Sequence, residues 1–504
     1  MSRVVVIGAG MGGLAAAARL AAQGHAVTVL EQSSTHGGKV ARLELDGFVF
    51  DLGPSLLTLP AVYRDLFLKT AVSREDAALE DNVGLLAVEP AFAYRFGDGT
   101  RVELPNASRG GVRAALDEAL GSGAGGQWNE LIEHAARVWQ VTRVPFLTSP
   151  LSSPAGLLRQ SLRLRDLRTV APFTSLRRLG RRYLQDPRLV TLLDRYATYQ
   201  GSDPRRAPAA LSVIPYVEQT FGAWHVEGGL RELADAVHRR CLQHGVEFRF
   251  GADVASVQVL GGAVGGVRLV DGEPVTADVV VANAAARHVF ADLLPPAVGR
   301  PALARLDRAS PSLSAFTLQL ALRGRTPGMR HHTVLFTADY DAELDEVFGP
   351  DPRPVPDPTV HVCAPDDQRM RPDGAHESWS VLVNAPRHEP HRSDGRGVDW
   401  DAPGVADAYA AHVLEVMARR GVDVRDRVLW SVVRTPADLA VDTRAPGGSI
   451  YGSSSNGARA AFRRPANRGP VPGLFLVGGS AHPGGGLPLV GLSAEIVAGL
   501  VGPA

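Results

Sequence analysis

Residues 4–20 read Val4-Val5-Val6-Ile7-Gly8-Ala9-Gly10-Met11-Gly12-Gly13-Leu14-Ala15-Ala16-Ala17-Ala18-Arg19-Leu20, and residues 26–31 read Ala26-Val27-Thr28-Val29-Leu30-Glu31. The apolar run 4–7 stops at glycine, the Ala/Leu-rich stretch 13–23 reads as a helix, and 26–30 is a second apolar run. The segment predicts strand, helix, strand. A parallel pair with a crossover helix begins a doubly wound α/β sheet. Gly8, Gly10 and Gly13 form GxGxxG at the strand-to-helix turn. The first glycine permits the tight turn, the second lets backbone approach a pyrophosphate, and the third lets helix and strand pack closely. The helix N-terminus offers free N–H groups and a partial positive charge to phosphate oxygens. Glu31, ending the second strand, can accept hydrogen bonds from both hydroxyls of a ribose and would repel a 2′-phosphate. Together these features mark a Rossmann-like dinucleotide site.

The same alternation returns later, with a helix expected over 230–244 and strands over 246–250, 264–269 and 278–282. A last strand, 474–477, leads through a glycine-rich turn to a helix from about Ser493. Between these blocks, 85–222 and 295–425 carry most of the Pro, His and aromatic interruptions, with candidate strands at 316–322 and 380–383. The expected organisation is a discontinuous cofactor domain of residues 1–84, 223–294 and 426–504, with an inserted α+β substrate domain of 85–222 and 295–425.

Over 504 residues, 53 basic side chains balance 53 acidic ones, so no field of one sign exists to attract nucleic acid, and no nucleic-acid partner is expected. Lys39 and Lys69 are the only lysines; arginine is otherwise the cation. Cys241 and Cys363 stand apart, without CxxC or a Cys/His cluster, so neither a disulfide framework nor a metal site is expected. A first strand starting at Arg3 leaves no room for an export signal, and no run of about 18 apolar residues occurs. The expected location is cytoplasmic.

Two further segments narrow the cofactor. Gly37-Gly38-Lys39 and Phe50-Asp51-Leu52-Gly53-Pro54-Ser55 follow the dinucleotide turn, and Gly478-Gly479-Ser480-Ala481-His482-Pro483-Gly484-Gly485-Gly486-Leu487-Pro488 follows the last strand. Their arrangement resembles the flavoprotein superfamily of amine oxidases and phytoene desaturases. The last segment closely resembles the C-terminal signature of bacterial-type carotenoid desaturases. Amine oxidases usually have an acidic residue where Gly479 stands. Trp224 to Gly229, His331 to Val334, Thr435 to Leu439 and Arg463 to Arg468 occur in that family's order. The resemblance implies noncovalent FAD, touched by Gly38, Lys39, Pro54 and Ser55, with Val254 at the adenine. It implies that Gly478, Gly479, Gly485 and Leu487 belong to the turn carrying the pyrophosphate and isoalloxazine end. Asp51 reads equally as a turn cap or a flavin neighbour.

The implied activity is desaturation of a long acyclic or hydroxylated carotenoid, the 3,4-desaturases of hydroxylated carotenes being the nearest type, with electrons passing to oxygen or a quinone. A carotenoid oxygenase, ketolase or isomerase would share every flavin motif; an amine oxidase and a non-enzymatic isoprenoid escort protein are the other rivals. Removal of a hydride and a proton asks mainly for positioning, so no catalytic dyad is expected. His482 is the polar candidate near the flavin, a structural hydrogen bond being its alternative, and His331 and His332 read as fold residues. Between 151 and 182, Arg159, Arg163, Arg165, Arg168, Arg177, Arg178, Arg181 and Arg182 face one acid, Asp166, and are interleaved with Leu157, Leu158, Leu162, Leu164, Leu167, Val170, Phe173, Leu176 and Leu179. Such a basic amphipathic segment is expected to attach the protein to the inner face of the cell membrane; a solvated arginine face is the alternative.

Overall fold

The computed structural model describes residues 1–151 and 164–504. Strand β1 (Arg3–Ile7), helix α1 (Met11–Ala22) and strand β2 (Ala26–Glu31) form in that order. β1 is central in a five-stranded parallel sheet, ordered Glu247–Phe250, β2, β1, Val279–Ala282, Leu474–Leu476. Both faces of β1 are covered, which is why it reads as an unbroken apolar run. Val4 and Val6 join Leu14, Leu20, Leu233, Val237 and Val497 in one core. Val5 and Ile7 join the other, under the antiparallel strands Val254–Leu260, Ala263–Leu269 and Pro274–Thr276. Ala15, Ala16, Ala17 and Ala18 have no exposed surface, since α1 is wedged between the sheet and the helices Arg231–Gln243 and Leu487–Val501. Larger side chains would push these layers apart.

The second domain is built on a seven-stranded sheet ordered Val428–Arg434, Ser314–Arg323, His376–Ala385, Val360–Cys363, His332–Leu335, Phe92–Arg95, Arg101–Leu104. Helix Val405–Arg419 covers one part of it, with Trp379, Trp400 and Met417 in the shared core. Helices Ala124–Thr142, Leu176–Tyr183, Pro187–Thr198 and Val213–Phe221 pack with Phe92 and Tyr94 in another.

The domain limits differ from those read in the sequence. Strand Val428–Arg434 falls in the stretch 426–504 assigned to the cofactor domain, yet it pairs antiparallel with Ser314–Arg323 in the second sheet. Leu85–Ala87 pairs with Ala223–Val226 across the expected boundaries. Helix Pro296–Leu306, expected with the second domain, lays Val298, Ala302 and Leu303 against the cofactor-domain core. The C-terminal helix starts at Leu487, before the expected Ser493, because Pro488 sits in its first turn, where a missing N–H costs nothing.

The basic segment is also used differently. Arg159, Arg163, Leu157, Leu158 and Leu162 lie outside the described residues. In helix Leu176–Tyr183, capped by Ser175, Leu176 and Leu179 turn into the core. Arg178, Arg181 and Arg182 are exposed, but Arg177 is buried and donates through Nε to Asp194 at 2.5 Å, with Asp341 as its second partner. It therefore cannot serve the lipid-facing role assigned to it: the Asp194 carboxylate is 1% exposed and requires a cation beside it. Arg177→Leu is expected to cost about 3–5 kcal/mol by stranding that carboxylate, and Arg177→Leu with Asp194→Leu to recover most of the loss; thermal unfolding midpoints measure both.

Candidate active site

The turn between β1 and α1 is sterically closed. Gly8 has φ +91°, and a Cβ on Gly13 would run into the Gly8 carbonyl oxygen. The third partner is Asn283, which the motif reading did not single out. It follows strand Val279–Ala282, its N–H donates to Ile7 O at 2.8 Å, and its Nδ2 donates to Gly8 O at 3.3 Å. Gly478 comes so close that a Cβ there would meet Asn283 Oδ1 at 2.5 Å. The N-terminal and C-terminal glycine turns are thus packed on one side chain. Helix α1 has no side-chain cap and no acid in its first turn, and the same holds for helix Leu487–Val501, so both present uncapped N–H groups.

Glu31 is buried at the end of β2. One carboxylate oxygen accepts Ala9 N–H at 2.6 Å; the other accepts the N–H and the hydroxyl of Ser33, each at 2.9 Å. Ala252 N–H donates to Glu31 O at 2.9 Å, which brings Val254, 4% exposed, to the same corner. Gly38 faces Gly10, and Gly10 and Gly37 form a parallel bridge. Lys39 Nζ donates to the carbonyls of Ser449 and Ile450 at 3.2 and 3.0 Å. Its side chain keeps exposed surface, and desolvation by the surrounding protein pushes its pKa down to about 8. Asp51 accepts Leu230 N–H at 3.0 Å at the start of helix Arg231–Gln243, and burial pushes its pKa up to about 6. It acts as a cap in this fold.

The C-terminal turn is held by two residues of the 463–468 segment. Arg464, 7% exposed, donates to the carbonyls of Tyr451 at 3.0 Å, Gly479 at 2.7 Å and Ser453. Asn467 Nδ2 donates to His482 O at 2.8 Å and to Ser493 Oγ at 3.1 Å. His482 is buried, and its Nε2–H donates to Ser149 O at 3.0 Å. Burial pulls its pKa down to about 4, so it is neutral through the ordinary pH range and its Nε2 is committed. A Cβ on Gly479 would meet only Gly485 Cα, at 3.5 Å, so there is room beside the turn where no side chain stands.

Next to this turn lies a cavity of about 510 Å³. Pro54, Ser55, His482, Gly485 and Leu487 line it, whereas Gly8, Gly10, Gly13, Glu31, Gly38, Lys39, Val254, Gly478 and Gly479 do not. Its other walls are mostly apolar, among them Leu56, Trp139, Phe146, Leu147, Ile214 and Leu492. Arg195, Tyr199, Glu218, Tyr340 and His361 are polar exceptions that no motif pointed to. Donor atoms of His331, His332 and Cys363 lie within 4.8 Å of one another. Burial holds His331 down to about 3 and pushes the Cys363 thiol up to about 12, so these groups are neutral. His332 continues the packing, with its Nδ1 3.3 Å from His361 Nε2.

Two uncapped helix N-termini, glycine walls too tight for side chains and a buried carboxylate at a strand tip fit a flavin dinucleotide. Glu31→Ala would remove the carboxylate expected to accept from a ribose and leave Ala9 N–H unpaired. It is expected to weaken FAD binding by about 1–3 kcal/mol, measured by titrating flavin-free protein and following flavin fluorescence. Unchanged affinity would mean the ribose is held elsewhere.

Residues 11–388 match the family of flavin containing amine oxidoreductases. Over 502 residues the chain is 32% identical to 4,4′-diapolycopene oxygenase of Methylomonas, covering 98% of this chain and 97% of that one. It is 33% identical over 508 residues to a zeta-carotene-forming phytoene desaturase of Myxococcus xanthus, covering 98% and 93%. With hydroxyneurosporene desaturase of Rubrivivax gelatinosus it shares 34% over 507 residues, covering 98% and 92%. The structure of putrescine oxidase bound to putrescine superposes with a TM-score of 0.66 at 14% identity, over 99% of this chain and 98% of that one, which is a likeness of fold. With its glycine turns, its sheet order and this match along most of its length, the chain belongs to the flavin-containing amine oxidoreductase family, and FAD is its cofactor.

Proposed function

We propose that this protein is an FAD-dependent carotenoid desaturase that introduces carbon–carbon double bonds into a long acyclic or hydroxylated carotenoid. One observation carries the reading: the glycine-rich turn is itself a wall of a mostly apolar cavity of about 510 Å³, so Gly485 and Leu487 would meet flavin and substrate alike. Relatives named as carotenoid desaturases support it along the whole chain.

In this reading Gly8, Gly10 and Gly13 cradle the pyrophosphate, Glu31 the ribose and Val254 the adenine. Gly38, Lys39, Pro54, Ser55, Gly478, Gly479, Gly485 and Leu487 hold the ribityl chain and the ring. Noncovalent attachment fits the burial of both cysteines. Bound FAD supplies a two-electron acceptor for hydride. Each new double bond removes one hydride and one proton from adjacent allylic carbons, and the polyene spreads the positive charge that develops between the two losses. Leu56, Ile214 and Leu492 exclude water around the reacting bond. His482 is held in place by the hydrogen bond from its Nε2–H to Ser149 O, the structural role that is its alternative. The electrons then leave to oxygen or a quinone, acceptors that mix with lipid-soluble substrates.

The 32% identity to a named oxygenase favours a second reading, oxygen insertion in the same cavity. Product mass separates the two. Incubated without oxygen but with a quinone, the yellow protein is expected to return a carotenoid lacking two hydrogens per turnover and absorbing at longer wavelength, and acid precipitation is expected to release its flavin. With oxygen admitted, a product that gains oxygen in place of losing two hydrogens would favour the oxygenase.

Among the described residues no helix is long and apolar enough to cross a membrane. Peripheral attachment to the inner face of the cell membrane is the location we propose for this cytoplasmic protein. Phe173 is 88% and Val144 55% exposed, beside cavity-lining Phe146, Leu147, Val170 and Pro172, so a lipid-dissolved substrate could enter there. Exposed Arg178, Arg181 and Arg182 lie on the helix that follows, each worth about 1 kcal/mol against anionic lipid. Changing these three to Gln is expected to reduce flotation with anionic liposomes at low salt; wild-type protein that ignores such liposomes would place the entrance elsewhere.

A further inference from the structure

The helix Pro187–Thr198 carries a buried cation without a salt-bridge partner among the described residues, although the charge of the Glu218 carboxylate reaches it. Arg195 is 4% exposed, and among the described residues it makes no salt bridge. Its guanidinium carbon lies 4.9 Å from the ring centroid of Phe92, 5.6 Å from Tyr94 and 4.2 Å from Tyr199. Those aromatic faces hold the charge by cation–π attraction. They do not satisfy its donors: Nη1 and Nη2 have no hydrogen-bond partner among the described residues, and neither do the hydroxyls of Tyr94, Tyr199 and Tyr340. The Tyr94 and Tyr199 hydroxyls lie close enough to the guanidinium for a weak polar interaction with it, but not in good hydrogen-bond alignment. Arg195, Tyr199 and Tyr340 line the cavity, so the unmet donors border the space the substrate would fill. Unpaired donors in a dry site cost free energy that an acceptor brought by a ligand would recover.

Glu218 shares this end of the cavity and decides what kind of acceptor fits. Its carboxylate accepts the Tyr196 hydroxyl at 2.5 Å, and burial pushes its pKa up to about 7. An anionic ligand beside Arg195 would meet this carboxylate. A carbonyl could accept from Arg195, but it could engage Glu218 only while that acid is protonated. A hydroxyl can accept from the guanidinium and donate to the carboxylate at once.

Resting on the desaturase reading, we propose that Arg195 and Glu218 bind a terminal hydroxyl of the carotenoid and so fix which end of the polyene enters. The cluster is tied to the flavin side of the cavity: Tyr199, on which Arg195 stacks, precedes Gln200, whose Nε2 donates to Gly485 O at 3.4 Å. An oxygen held there presents bonds near the hydroxylated end, not mid-chain bonds, to the glycine turn.

The test uses FAD-loaded protein and two acyclic carotenoids that differ only in a terminal hydroxyl. Binding is read from quenching of tryptophan fluorescence, to which Trp139 in the cavity wall contributes, and turnover is read separately. The hydroxylated compound is expected to bind on the order of tenfold or more tightly, and its methyl ether, which cannot donate to Glu218, less tightly than the alcohol. Arg195→Met is expected to bring the ratio close to one. Equal affinity of the wild-type protein for both carotenoids overturns the proposal without any variant, and is also the result expected if only water fills the site. A ratio that survives Arg195→Met overturns it too. A preference in binding without desaturation of either compound would leave this site standing and overturn the activity; desaturation of both without preference would do the reverse.

Discussion

Asn283 stands where the two glycine turns cross, and its side chain has almost no room. Gly8, Gly10, Gly12, Gly13 and Gly478 all approach it so closely that a Cβ on any of them would meet its atoms at about van der Waals contact or inside it. The constraint is mutual. The glycines are needed because a strand, a helix and two turns converge there, and Asn283 can sit among them because its short amide also reaches the Gly8 carbonyl. Since β1 is bonded to β2 on one side and to Val279–Ala282 on the other, this crossing fixes how Glu31 and the C-terminal turn stand relative to each other. The cavity then inherits its position, because Gly485 and Leu487 continue the second turn into its wall.

Arg464, Lys39 and Arg195 are cations near the site that the fold treats differently. Arg464 spends its donors on the carbonyls of Tyr451, Ser453 and Gly479, and Lys39 on those of Ser449 and Ile450, so both act as clamps on irregular backbone. Carbonyl oxygens in such loops have no ladder to satisfy them, and a cation from elsewhere meets that need. Arg195 is the third and clamps nothing. Aromatic rings surround it and its donors end at the cavity. The contrast separates a structural arginine from one free to recognise a ligand.

Much of the cofactor domain was legible in the sequence because its signals are local. Apolar runs of four or five residues, glycines at fixed offsets and a carboxylate at a strand end are all set within some thirty residues of chain. What was not legible is set by pairings across long separations. Strand Val428–Arg434 has the period of any strand, and only its partner Ser314–Arg323 shows which sheet it joins. Arg177 looks like its neighbours Arg178 and Arg181 until Asp194, a helix away, is placed beside it. Asn283, Arg195 and Glu218 belong to no motif, and their roles exist only where three or more segments meet.

The chemistry explains why a polar end should matter in so apolar a site. A polyene offers the protein little to grip: its surface is uniform along its length, and apolar contact is roughly proportional to area and blind to register. A chain could slide along such walls by a carbon–carbon bond at little cost, and each slip would present a different bond for oxidation. Shape can limit this where the cavity ends, but only a directional interaction discriminates one end of a nearly symmetric molecule from the other. Hydrogen bonds are directional, and their absence is penalised most where water cannot substitute for the missing partner. A single oxygen anchored between a guanidinium and a carboxylate, a few carbons from the reacting bond, therefore sets the register for the whole chain while the apolar walls supply most of the affinity.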